Sequence, residues 1–149
     1  MADLLKDPMV LREIIMDHYE YPRHHALTNG RGYLRAHMAS ESCIDDIQVE
    51  ARIEDGIVKD VNFEGVACTI STASTSIMTE LVKDKTVAEA REIMNNYFAM
   101  INGDPYDEDL LGEAVALAGV SKQANRIKCA TIGWHGLEKL LAESEKKDD

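Results

Sequence analysis

In the segment GVACTISTASTS, residues 65–76, the chain changes from a strand-like pattern to a helical one. Cys68 stands at the change, after an alternating run that ends at Phe63 and before a run of small and hydroxyl-bearing residues. The segment therefore predicts a helix with Cys68 at its start. The unpaired N–H groups and the positive dipole end of such a helix favour a thiolate, which is the form that binds metals and attacks sulfur.

Upstream of this segment, the sequence predicts a small antiparallel sheet. Residues 47–53 alternate between apolar and polar side chains, which predicts a strand with one buried face and one wet face, Glu50 being on the wet one. Residues 54–56, Glu-Asp-Gly, are a hairpin signal, and residues 57–63 return as a second alternating strand. We expect residues 33–38 to add a third, short strand.

Apolar residues at helical spacing predict one helix before the sheet and several after it. The expected helices are residues 8–20, 69–83, 87–102 behind a Thr86–Glu89 capping box, 110–120, and about Asn125 or Arg126 to Leu141. This order predicts an α+β fold, in which a small antiparallel sheet of two to three strands is followed by four to five packed helices. We expect residues 1–149 to form a single domain, with a frayed, charged tail at about 143–149.

Composition narrows the possible partners. Sixteen basic and 27 acidic residues leave a formal charge of −11, which argues against binding to a nucleic-acid backbone. No apolar run approaches the roughly 20 residues that span a bilayer, and the N-terminus lacks the layout of a secretion signal. The three cysteines are an odd number, whereas disulfide scaffolds usually carry even counts. We therefore expect a cytoplasmic protein with no membrane partner, whose thiols are free, buried, catalytic or metal-bound.

Four residues are candidates for a metal site. Cys43 and Asp45 precede the first clear strand, and residues i and i+2 of an extended chain face the same way, so both can reach one ion. With Cys68 and Cys129 they make three thiolates and one carboxylate, a set suited to zinc or to the edge of an iron–sulfur cluster. Spacing alone leaves open that Cys68 and Cys129 are small core residues and that Asp45 is an ordinary exposed carboxylate. The histidines are not expected to be ligands.

Five motifs, in this order, resemble the IscU/NifU-type iron–sulfur cluster assembly proteins, and above all their SufU branch. They are His18-Tyr19, Pro22-Arg23-His24, Cys43-Ile44-Asp45, the run from Phe63 to Ser71, and Arg126-Ile127-Lys128-Cys129. Residues 103–119 resemble an insertion that SufU proteins carry between helices. Lys128 stands where IscU proteins have a histidine within a chaperone-recognition motif, which also indicates the SufU branch.

This resemblance implies a zinc ion held by Cys43, Asp45, Cys68 and Cys129. It implies docking to a cysteine desulfurase of the SufS type, with a downstream cluster-assembly complex as a further candidate partner. Cys43 is then the sulfur acceptor, which takes persulfide sulfur from the desulfurase, while Cys68 and Cys129 anchor the metal. Such a protein is a sulfurtransferase-like carrier that works with the desulfurase rather than a stand-alone enzyme.

Two other functions use the same four residues. One is a scaffold on which a transient iron–sulfur cluster is assembled, and the other is a structural zinc domain that acts through protein contacts. Arg126 and Lys128 either offset the charge of the thiolates or are simply solvated helix positions.

The sequence departs from the family pattern around the candidate ligands. Ile44 replaces the glycine of the usual Cys-Gly-Asp, and a β-branched residue resists positive φ. Either the segment is extended, with Ile44 turned away from its neighbours, or the loop has changed shape. Ala67 also replaces a glycine, residues 40–41 replace Asn-Pro, and residues 123–124 replace Phe-Pro.

Overall fold

The computed structural model describes residues 7–39 and 44–148 of the chain. Its elements in chain order are α1 (Pro8–Glu20), β1 (Tyr33–Ala39), β2 (Asp46–Glu54), β3 (Ile57–Val66), α2 (Thr69–Val82), α3 (Val87–Asn102), α4 (Glu108–Leu111), two 3₁₀ segments (Gly112–Lys122 and Ala124–Arg126) and α5 (Ile127–Asp148). The predicted α+β class is confirmed, with one three-stranded sheet and helices on either side of it in the chain. None of the described helices has the length and apolar character needed to cross a membrane.

The three strands form one antiparallel sheet in the order β1-β2-β3. Asp55 and Gly56 have φ values of 54° and 73°, as a tight turn between two antiparallel strands requires, so the predicted hairpin is confirmed. β3 continues past the predicted end at Phe63, and its last residue, Val66, pairs with Asp46. This register places Asp45, just before β2, and Cys68, just after β3, at the same end of the sheet.

One prediction about the sheet is wrong. Glu50, expected on the wet face of β2, is fully buried. Its carboxylate accepts hydrogen bonds from the backbone N–H of Thr28 (2.8 Å) and of Asn29 (3.2 Å) and from the Thr28 hydroxyl (2.7 Å). The loop before β1 therefore covers this face. Its N–H and O–H donors replace the hydrogen bonds to water that the carboxylate loses on burial.

α2 runs through the centre of the molecule. Every residue from Ser71 to Thr79 is buried, although most of them carry hydroxyl groups. Some of these hydroxyls donate to carbonyls of their own helix, as Thr75 does to Ser71 (2.8 Å) and Thr79 does to Ser76 (2.7 Å). The small side chains let α1, α3, α5 and β3 all pack against this one helix.

α3 begins and ends as the sequence predicts. The Thr86 hydroxyl accepts from the backbone N–H of Glu89, and the Glu89 carboxylate accepts from the backbone N–H of Thr86, each at 3.1 Å. This is a complete capping box. Gly103 ends the helix in the left-handed conformation, with φ of 84°.

The helix predicted at residues 110–120 is only partly correct. One turn of α-helix, α4, ends at Leu111, and the next residue, Gly112, has φ of 48° and ψ of −123°, which cannot continue the α-helix. The chain then tightens into the 3₁₀ segment Gly112–Lys122. Of the apolar residues expected in this helix, Leu111, Val115 and Leu117 are buried, and Ala118 is half-buried.

The predicted end of the last helix at Leu141 is wrong. α5 continues to Asp148, so the residues expected to fray from about 143 are helical within the described part of the chain. Ser144 is buried, and the Glu145 carboxylate lies 2.7 Å from Nε of Arg91 on α3. These contacts with the rest of the fold hold a segment whose composition alone favours fraying.

Candidate metal centre

Three of the four predicted ligands lie together in the structure. One ligand atom each from Asp45, Cys68 and Cys129 falls within 4.8 Å of the others. Asp45 comes just before β2, Cys68 just before α2, and Cys129 from the first turn of α5. The fourth predicted ligand and sulfur acceptor, Cys43, lies outside the described residues. The alternative that Asp45 is an ordinary exposed carboxylate is excluded, because only 1% of its surface is exposed.

Cys68 is the N-cap residue of α2, as the sequence predicts. Its backbone is extended, with φ of −73° and ψ of 174°, and its Sγ accepts a hydrogen bond from the backbone N–H of Ser71 at 3.4 Å. The sulfur therefore takes the place that a serine or aspartate oxygen takes in an ordinary N-cap.

Asp45 is held by the same helix end. Its Oδ1 accepts from the backbone N–H of Cys68 at 2.9 Å, and its Oδ2 accepts from the hydroxyl of Ser71. The carboxylate is thus buried against the positive end of α2, where helix dipole and hydrogen bonds compensate for the lost hydration. Both oxygens are oriented by one helical turn.

Cys129 is fixed through its neighbour in the chain. The carbonyl of Ala130 accepts hydrogen bonds from the hydroxyls of Ser74 on α2 and Tyr97 on α3, each at 2.6 Å. The indole N–H of Trp134 donates to the Ser74 hydroxyl at 3.1 Å, and its ring stacks on Tyr97 with centroids 4.1 Å apart. Burial raises the pKa of Tyr97, so this hydroxyl keeps its proton and remains a donor. The start of α5 is therefore bonded to two other helices.

α2 and α5 approach closely just beyond the site. A Cβ placed on Gly133 would lie 2.2 Å from Oγ1 and 2.9 Å from Cβ of Thr75, so only glycine fits at this position. Because Cys68 and Cys129 stand at the N-terminal ends of these two helices, the close approach also sets the separation of their sulfurs.

The donor set fits a zinc ion. Zinc takes four tetrahedral ligands from sulfur, nitrogen and oxygen, with Zn–S distances that place two bound sulfurs roughly 3.8 Å apart. The upper limit of 4.8 Å between the described ligand atoms exceeds that spacing by about 1 Å, which side-chain rotation can close. Their role as ligands stays a prediction.

Other charged groups near the site are engaged elsewhere or solvated. Arg126 and Lys128 are both exposed, which favours the solvated alternative for these two residues. No histidine belongs to the metal group within residues 7–39 and 44–148. His18 instead lies buried, with its ring nitrogens 2.8 Å from Ser76 Oγ and 3.0 Å from Glu113 Oε2.

Sequence reasoning missed the part played by Ser71. Ser71 contacts two candidate ligands, Asp45 and Cys68, although sequence reasoning predicts no such contact for the hydroxyl-rich run after Cys68. The available signal was its position three residues after the N-cap, where the N3 residue of a helix faces back toward the capping side chain.

The model of the NifU-like N-terminal domain family matches residues 11–130. The chain belongs to this family. The zinc-dependent sulfurtransferase SufU of Bacillus subtilis is 40% identical to it over 135 residues, which cover 90% of each chain. The iron–sulfur cluster assembly scaffold protein IscU of Streptococcus pyogenes is 35% identical over 133 residues, which cover 88% of this chain and 82% of that protein.

The solved structures agree. A Fervidobacterium islandicum protein, described as a candidate iron–sulfur cluster assembly scaffold for the SUF system, matches with a TM-score of 0.79 and 33% identity. The match covers 87% of this chain and 94% of that one. The predicted resemblance to the IscU/NifU type, and within it to the SufU branch, is thereby confirmed.

The main departure from the family motif is also explained. Ile44 is not among the residues with positive φ, and its side chain is 67% exposed while that of Asp45 is buried. Ile44 and Asp45 therefore point apart, which matches the extended alternative. The isoleucine is tolerated because its side chain turns to solvent.

Proposed function

We propose that this NifU-like chain is a zinc-dependent sulfur acceptor in iron–sulfur cluster assembly, with Cys43, Asp45, Cys68 and Cys129 as the zinc ligands. The convergence of Asp45, Cys68 and Cys129 carries the proposal, since a carboxylate and two thiols from distant parts of the chain meet in one place. The similarity to a protein named a zinc-dependent sulfurtransferase, over 90% of both chains, supports this chemistry.

The proposed donor is a cysteine desulfurase of the SufS type that carries a persulfide on its own cysteine. The Cys43 thiolate attacks the terminal sulfur of that persulfide. The sulfur–sulfur bond of the desulfurase breaks, a new one forms on Cys43, and the desulfurase cysteine leaves as a thiolate, so no oxidant or reductant is needed. When bound, zinc supplies the Lewis acidity that keeps its ligating thiols deprotonated near neutral pH.

The chain's other site residues hold this arrangement. Cys68 and Cys129, each at the start of a packed helix, anchor the metal, and Asp45 supplies the single oxygen ligand. Transfer needs a partner to act with, so we propose a cytoplasmic carrier that works beside the desulfurase rather than a stand-alone enzyme. A downstream cluster-assembly complex is the proposed recipient of the sulfur.

A surface beside the site suits a protein partner. Ile44 and Val66 are 67% and 63% exposed, and a shallow pocket of about 360 Å³ is lined by Asp46, Glu64 and Val66, among others. Exposed apolar side chains with an acidic surround favour a partner that brings apolar and basic residues. We propose that the desulfurase docks on this surface, because sulfur transfer requires its persulfide to come within bonding distance of the acceptor thiol of Cys43.

Cys43→Ser tests the acceptor role. With a SufS-type desulfurase and ³⁵S-labelled cysteine, the wild-type chain is expected to carry label that a thiol reductant releases, and Cys43→Ser is expected to carry none. The variant should keep weak zinc binding through the three remaining ligands. Thr79→Ala, a change of a buried hydroxyl in the same fold, is the matched control and should accept label normally. Labelling of Cys43→Ser at the wild-type level would show that the assignment is wrong.

A scaffold for cluster assembly is the second candidate, favoured by the 35% identity to a protein named as an IscU scaffold. Metal and sulfide analysis of the chain, purified without oxygen, separates the two functions. Zinc without sulfide favours the acceptor, and iron with acid-labile sulfide favours the scaffold. A chain that holds zinc but whose Cys43 reacts with neither persulfide nor an alkylating reagent is instead a structural zinc domain.

A further inference from the structure

Ser71 contacts two of the candidate ligands, Asp45 and Cys68, without being one of them. It is fully buried, its hydroxyl donates to Asp45 Oδ2, and its backbone N–H donates to Cys68 Sγ at 3.4 Å. The other oxygen of Asp45 accepts from the backbone N–H of Cys68 at 2.9 Å. One turn of α2 thus binds both carboxylate oxygens and the sulfur.

These bonds restrict how Asp45 can meet an ion. A carboxylate that binds a metal through both oxygens must turn both toward the ion in its own plane. In this site each oxygen already accepts one hydrogen bond from α2, and the two bonds together fix the plane of the carboxylate, so any rotation that turns both oxygens toward one ion strains these bonds. The backbone N–H of Cys68 cannot be removed without moving the helix, whereas the Ser71 hydroxyl is a single side-chain group.

We propose that Ser71 is a positioning residue that limits Asp45 to one-oxygen binding and so selects a four-coordinate ion such as zinc. The inference rests on the proposed function, in which Asp45 is a ligand. Three sulfurs and one oxygen make the tetrahedral set that zinc adopts in closed sites. Groups that hydrogen-bond to ligating carboxylates typically change metal affinity by about 10–100-fold when they are removed.

The test compares Ser71→Ala and Ser71→Thr with wild type and with Thr79→Ala. Thr79 is also a buried hydroxyl of α2, but it donates to the carbonyl of Ser76 instead of to a ligand. Zinc affinity is measured by competition with a chromophoric chelator, and cobalt(II) serves as a spectroscopic substitute whose visible absorption is intense only at low coordination number.

We expect Ser71→Ala to weaken zinc binding at least tenfold and to reduce the molar absorption of the cobalt-loaded protein. Ser71→Thr, which restores a hydroxyl, should recover both values, and Thr79→Ala should change neither. X-ray absorption of the zinc-loaded wild type should give one oxygen in the first shell, and that of Ser71→Ala should give two.

The outcomes separate this inference from the proposed function. If wild type binds neither zinc nor cobalt, the proposed function itself is wrong. If wild type binds zinc and Ser71→Ala matches it in affinity and in cobalt absorption, Ser71 has no positioning role. If circular dichroism shows that Ser71→Ala does not fold, X-ray absorption of the zinc-loaded wild type still tests the inference, because two oxygens in its first shell would overturn it.

Discussion

Gly133→Ala tests whether α2 and α5 approach as closely as the structure places them. A Cβ at position 133 would lie 2.2 Å from Thr75 Oγ1 and 2.9 Å from Thr75 Cβ. Alanine in a helix interior is favoured over glycine by about 1 kcal/mol. Overpacking a filled core costs about 1–3 kcal/mol, and the upper end applies because the Cβ of Thr75 cannot rotate away. We therefore expect a net loss of about 2 kcal/mol in the free energy of unfolding, or roughly 4–8 °C in Tm.

The assay is urea denaturation with a metal chelator present, followed by the fluorescence of the buried Trp134, the only tryptophan of the chain. Gly119→Ala is the matched control, since a Cβ at Gly119 meets nothing within 4 Å, and it should cause no loss. Adding Thr75→Ala should restore part of the lost stability, because it removes the nearest atom. If Gly133→Ala instead raises the free energy of unfolding by about 1 kcal/mol, helix propensity alone determines the effect of the substitution, and the close contact between α2 and α5 does not exist.

Two further predictions concern groups away from the ligands. Ser74→Ala removes the acceptor of the Trp134 indole N–H and one of the two donors to the Ala130 carbonyl. It should therefore lower the free energy of unfolding by about 2 kcal/mol in the same urea assay. A loss below about 0.5 kcal/mol would contradict these hydrogen bonds. Hydrogen bonds from the backbone N–H and then the side chain of Thr86 lower the pKa of Glu89 below its ordinary 4.5. Its contribution to stability is therefore present above pH 4.5 and is lost as pH falls through the lower folded value. Thr86→Ala removes only the side-chain cause, so it should raise the pKa of Glu89 in part, and a wild-type Glu89 carboxyl that titrates at 4.5 or above in an NMR pH series would refute the prediction.

The sequence correctly predicted the ends of those elements that are set by interactions between residues close together in the chain. The turn at Asp55-Gly56 and the capping box at Thr86–Glu89 follow from backbone conformation and from hydrogen bonds within a few residues. The helix start at Cys68 is of the same kind, because the change of periodicity is visible in the sequence. The convergence of the ligands was suggested by family motifs, whereas spacing alone left it open.

Three of the misses share one physical cause, which is contact with distant parts of the chain. Glu50 has the sequence signature of an exposed residue, yet donors from residues 28–29 allow its burial. α5 passes its predicted end in a segment where Ser144 is buried and Glu145 pairs with Arg91 on α3. Ser71 was missed for a related reason: its partner Asp45 is 26 residues away and reaches it only through the register of β2 on β3.

These contacts distinguish two ways in which a substitution can weaken zinc binding, through helix packing or through the position of Asp45. Cys129 is placed by helix packing, through the bonds to Ala130 and the approach at Gly133, so variants that loosen α2 against α5 should lose stability and zinc affinity together. Asp45 is placed by one turn of α2, through the Ser71 hydroxyl. Ser71→Ala should therefore lose more zinc affinity, for each kcal/mol of lost stability, than Gly133→Ala does. Proportional losses in the two variants would mean that Ser71 contributes only to folding, and that packing alone builds the metal centre.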